Sequence, residues 1–169
     1  MRLLFVMGLM GVGALVAKPE KHGPEWFKKT QAKLLQQLIK EYGQEGEFTK
    51  APLAEAIWLR ASPEMIEEML EARFSVNTPG PRGLTPLQMS VRAGIVGDNV
   101  SLVKKLLKLG AQDNINHKSD SGKTALDQLY AQTDEEDFTP AHVIQVKELI
   151  KTMEAAGAKR ASELEPKQD

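Results

Sequence analysis

The chain has 169 residues, the size of one domain with tails, and its 41% hydrophobic and 27% charged residues exclude a fully disordered polymer. Lys and Arg number 22 against 23 Asp and Glu, and the net charge of −1 argues against nucleic acid as a partner. There are no cysteines, which excludes disulfides, Cys-ligated zinc, iron–sulfur clusters and thiol nucleophiles, and aromatics at 5% leave few stacking platforms.

Residues 1–17 read MRLLFVMGLMGVGALVA, with Arg2 the single charge ahead of an apolar run from Leu3 to Ala17. As a helix that run is about 22 Å long at ~1.5 Å per residue, short of a bilayer core of ~30 Å. It suits the apolar core of an export signal, with Ala17 as the last residue removed and Lys18 as the mature start. A retained membrane anchor and a buried N-terminal helix are the alternatives, and Gly8, Gly11 and Gly13 disfavour the second. The expected mature protein has 152 residues, a net charge of −2 and a periplasmic or secreted location.

The rest reads as helices. Residues 24–42 open on Pro24 and carry Phe27, Leu34, Leu35, Leu38, Ile39 and Tyr42 on one stripe, with lysines mainly off it. A second helix starts near Pro52, and a third after the Ser62-Pro63 cap. The stretch from Thr78 to Gly83 reads as turns. A helix follows from Thr85-Pro86-Leu87 to near Gly94, then another from Ser101 to Leu109, stopped by Gly110. Thr124-Ala125-Leu126 opens the next, and Val143 to Met153 its partner, closed by Gly157. Pro52 and Pro86 lie 34 residues apart, and Thr85 and Thr124 lie 39 apart. Helix, turn, helix and polar loop therefore recur, and such units must stack to bury both sides of each pair.

Gly83-Leu84-Thr85-Pro86-Leu87, Leu106-Leu107-Lys108-Leu109-Gly110-Ala111 and Gly122-Lys123-Thr124-Ala125-Leu126 resemble the opening and closing motifs of ankyrin repeats. Asn77 and Asn116 each precede a Gly by six residues, so both connecting loops have one length. The resemblance covers about residues 47–161 and implies an all-α ankyrin-repeat solenoid of about three helix-turn-helix units. Residues 18–46 are then linker and N-terminal capping helix, and 162–169 a polar tail that frays from about Ala161. There are departures. Arg73-Phe74 replaces Gly-Ala at the first close, extra residues fall at 95–98 and around 133–140, and the family's usual His gives way to Ala54, Gln88 and Asp127. The last change implies the loss of a stabilising hydrogen bond.

Catalytic chemistry is poorly supplied. His22, His117 and His142 lie in unrelated regions and read as surface residues, with no metal-ligand spacing. Ser121-Gly122-Lys123-Thr124 looks like the end of a P-loop, but His117 stands where its first glycine would be. No G-x-S-x-G elbow is present. No catalytic residue, cofactor or metal is expected. Asp134 to Asp137 are four consecutive acids, followed by Phe138; the segment reads as a solvated loop or as an acidic contact anchored by Phe138.

The resemblance implies a binding face made of loop tips and first helices. It assigns Pro81 and Arg82 to the first tip, Asp120 and Ser121 to the second, and Trp58, Arg92 and Tyr130 to the helices. Trp58 could instead pack under the N-terminal helix, and Arg92 could be a solvated surface residue. The function expected is an exported, non-catalytic, monomeric module that binds a protein as inhibitor, immunity protein or envelope accessory factor. The alternatives are a chaperone-like stabilising subunit and, behind it, a ligand-binding protein or enzyme.

Overall fold

The computed structural model describes residues 22–42, 50–92, 99–133 and 139–165. Within them the chain is all-helical: α1 (Pro24–Tyr42), α2 (Pro52–Trp58), α3 (Pro63–Glu71), α4 (Pro86–Arg92), α5 (Asn99–Lys108), α6 (Ala125–Thr133) and α7 (Pro140–Ala155). None of these helices is long and apolar enough to cross a membrane. The export segment, the 95–98 insertion, Asp134 to Asp137, Phe138 and the last four residues lie outside the described residues.

Local chemistry sets most of the helix starts. Five of the helices begin on proline, whose missing N–H would have no partner in a first turn. Ser62 Oγ accepts from Met65 N at 3.2 Å, and Thr139 Oγ1 from His142 N at 3.3 Å. The outer helices α5 and α7 end at Gly110 and Gly157, with φ of 105° and 92°. Arg73 takes the equivalent left-handed place after α3, at φ 60°. A side chain there costs roughly 1–2 kcal/mol that glycine avoids.

The helices pack as pairs, α2 with α3, α4 with α5 and α6 with α7, and the pairs lie side by side. The first helices form one row, α2 against α4 and α4 against α6. In the other row α1 packs on α3 and α5 on α7, with Lys105 of α5 paired to Glu67 of α3. One core runs through both rows, from Leu34 and Leu38 of α1 through Leu53, Met69, Leu87, Leu106 and Leu129 to Met153. The apolar stripe of α1 thus covers the α3 end of this core, helped by Gln31 Nε2 donating to Ala72 O at 2.7 Å. Asn77 Nδ2 donates to Gly110 O at 3.0 Å, and Asn116 Nδ2 to Gly157 O at 3.2 Å. Each asparagine so takes the carbonyl of the glycine that closes the following outer helix.

Two expectations need correction. His142 is not a surface residue: it is 3% exposed. It shares one side of α7 with Val146, Leu149, Ile150 and Met153, at the three-and-four spacing of a buried stripe. The tail is not frayed at Ala161. Residues Ala161–Glu163 form a 3₁₀ turn in which Glu163 Oε2 accepts from Arg160 N at 2.6 Å, and Ala161 N donates to Asp127 Oδ2 at 2.9 Å.

Candidate functional site

Trp58 and Arg92 are the last residues of α2 and α4, so the side-by-side packing of these two short helices brings their ends together. Arg82 reaches the same place from the turn between the first two helix pairs. The guanidinium carbons of Arg82 and Arg92 each lie 5.6 Å from the centroid of the Trp58 ring. Trp58 is 37% exposed, and both arginines are exposed. Among the described residues these two cations are the ring's cation–π partners. Cation–π contacts at exposed sites contribute about 0.5–1 kcal/mol each.

The turn that carries Arg82 is closed by Gly80 N donating to Leu84 O at 2.9 Å and Gly83 N donating to Gly80 O at 3.1 Å. Pro81 and Arg82 are its central pair. Arg82 has φ 59°, where glycine is the favoured residue. Gly83 is also left-handed, at φ 65°, and a Cβ on it would collide with the Asp120 carboxylate. The second turn repeats the pattern, with Ser119 N donating to Lys123 O at 3.0 Å and Gly122 N to Ser119 O at 2.8 Å. Asp120 N donates to Arg82 O at 3.1 Å, so the two tips are bonded to each other. Ser121 is exposed, and its hydroxyl meets that of Ser119 at 3.0 Å. Pro81, Asp120 and Ser121 therefore adjoin the Trp58–Arg82–Arg92 cluster along one edge.

Tyr130 lies on α6, outside the Trp58 cluster. Its hydroxyl donates to Glu154 Oε1 at 2.8 Å, which holds the phenol's pKa above its ordinary value, and Arg160 lies over its ring at 5.0 Å. Tyr130, Lys123, Asp127 and Arg160 line an open groove at the α6 end of the molecule. Phe138 lies outside the described residues. Among the described residues, no three His, Asp or Glu side chains come together to hold a metal ion.

The caps of α4 and α6 also differ from expectation. Gln88 and Asp127 do not forfeit a stabilising bond; they make one. Gln88 Oε1 accepts from Thr85 N at 3.0 Å, while its Nε2 donates to His117 O at 3.1 Å and Lys123 O at 3.0 Å. Asp127 Oδ2 accepts from Thr124 N at 3.0 Å. Burial alone would raise the Asp127 pKa. Hydrogen bonds from the Thr124 and Ala161 backbone, the Thr124 hydroxyl and Arg160 outweigh it, and the pKa lies below the ordinary value. The Thr-x-x-Gln and Thr-x-x-Asp spacings were the available signal for these reciprocal caps. His117 is half-buried, and its Nε2 donates to Gly83 O at 2.9 Å, bracing the first tip.

The chain matches no family model, no curated protein and no solved structure.

Proposed function

We propose that this is an exported, non-catalytic protein-binding domain built as three stacked ankyrin-type units, with α1 as the cap. Its binding face is formed by the row α2, α4 and α6 and the two loop tips. The repeat reading is supported by features that occur twice: the asparagine-to-glycine bonds, the threonine caps and the tips closed by the same pair of backbone bonds. Residues 1–17 are the export signal in this reading, and the mature chain works as a monomer in the periplasm or outside the cell. It acts there as an inhibitor, an immunity protein or an envelope accessory factor.

The observation that carries the function is the convergence of Trp58, Arg82 and Arg92. Each comes from a different element, and Trp and Arg are the residue types enriched where interface energy concentrates. Such a face is presented rigidly, because helix ends and bonded turns hold the side chains in place before a partner arrives. The test is affinity capture of the chain from its native envelope fraction, followed by affinity measurement with the protein recovered. Trp58→Ala with Arg92→Glu should weaken binding at least tenfold while helicity by circular dichroism is unchanged. Unchanged affinity in the folded double variant contradicts the face.

A further inference from the structure

The proposed face fixes where a partner sits; the charges at its centre also indicate what the partner brings. This inference rests on the binding-face reading and adds the chemistry of the occupant. Two guanidinium carbons lie 5.6 Å from one ring centroid, so they are no further apart than twice that distance. That upper limit is about one Debye length at 0.1 M salt (~10 Å), so their repulsion is only partly screened. Among the described residues neither arginine forms an ion pair, whereas Lys28, Lys104, Lys105, Lys118 and Arg160 each do. Arg82 also holds a left-handed backbone, φ 59°, at a tip where glycine would be at ease. Replacing Arg82 by glycine would relieve that strain but remove the cation beside Trp58.

We propose that Arg82 and Arg92, both set against the Trp58 ring, bind a carboxylate of an acidic protein segment. An anion shared by the two guanidiniums offsets their mutual repulsion and accepts from their forks of N–H donors. The exposed indole offers apolar area to the methylenes or apolar neighbour of that acidic residue. A nucleic acid fits less well. A phosphate backbone needs a row of cations along its track, and the cluster at Trp58 offers a pair.

The chain has two tryptophans, Trp26 and Trp58, so a Trp26→Phe background makes Trp58 the reporter. The full chain in that background is titrated with an octaglutamate peptide, an octaglutamine peptide and an eight-nucleotide oligothymidylate. Octaglutamate should change Trp58 emission and bind at least tenfold tighter than octaglutamine, with affinity falling as salt rises. Arg82→Gln and Arg92→Gln, each checked for retained helicity, should each weaken it at least fivefold. Equal binding of the two peptides, or octaglutamate binding untouched by both substitutions, overturns the proposal. Tighter binding of oligothymidylate overturns the carboxylate assignment in favour of phosphate. If the peptides fail to discriminate while a captured protein still loses affinity on Trp58→Ala, the binding face stands and only the carboxylate assignment falls. If that substitution has no effect either, the face itself falls.

Discussion

Gln88 and Asp127 do one task, 39 residues apart, in opposite surroundings. Each receives the backbone N–H of a threonine three residues earlier, and that threonine's hydroxyl receives their own N–H in return. Gln88 lies between helix pairs and is 1% exposed. A carboxylate there would face the His117 and Lys123 carbonyls, which the amide instead satisfies as a donor. Asp127 lies at the end of the row, where the Ala161 N–H and the Arg160 side chain supply donors to a charge. The geometry of the cap is common to both; the ionisation state that it tolerates is decided by the neighbours.

The largest break in this comparison is Gln88→Asp. It should cost roughly 3 kcal/mol or more in denaturant unfolding, because it buries a charge against two acceptors. A cost near zero would mean that water reaches this cap. Gly110→Val comes next, at about 1–2 kcal/mol, since φ 105° disfavours a branched side chain. A melting temperature equal to that of the parent would count against the helix-closing role. Asp127→Asn should cost up to about 1 kcal/mol at neutral pH, because cap geometry survives while the pairing with Arg160, itself half-exposed and screened, is lost. The pH dependence sharpens this. Asp127 has a folded pKa below its ordinary 3.8, so its contribution is complete above 3.8 and disappears as pH falls through the folded value. The stability gap between parent and Asp127→Asn should therefore narrow in acid; a gap that widens below pH 4 would refute the assignment. Arg73→Gly should have the smallest effect, a gain of a few tenths of a kcal/mol. It relieves the left-handed strain but gives up a guanidinium 4.5 Å from the Phe27 ring.

What the sequence made legible was the chemistry that acts within a turn of helix. Pro24, Pro52, Pro63 and Pro86 start α1, α2, α3 and α4, and Gly110 and Gly157 adopt the left-handed conformation that closes outer helices. The stripe of α1 could be read because its period is local. Contacts that close over long stretches of chain were not legible. The Arg160 guanidinium reaches Asp127 across 33 residues and lies over the Tyr130 ring, so that Tyr130 lines the end groove. Ala161 reaches the same carboxylate across 34 residues and ties down a segment whose composition reads as a loose tail. At the site itself, the ankyrin resemblance pointed to Trp58, Arg82 and Arg92 one at a time, as helix and loop-tip positions. Their meeting depends on how α2 and α4 pack, which no local pattern specifies.

The account depends most on which side of the molecule meets a partner. Ile144 of α7 is 68% exposed, in the row opposite that of α2, and so serves as the counterpart of Trp58. A photoreactive phenylalanine analogue placed at position 58 or at position 144 of the full chain, irradiated in the cells that make it, compares the two sides directly. The account predicts a discrete protein adduct from position 58 and none from position 144. An adduct from position 144 alone would contradict it.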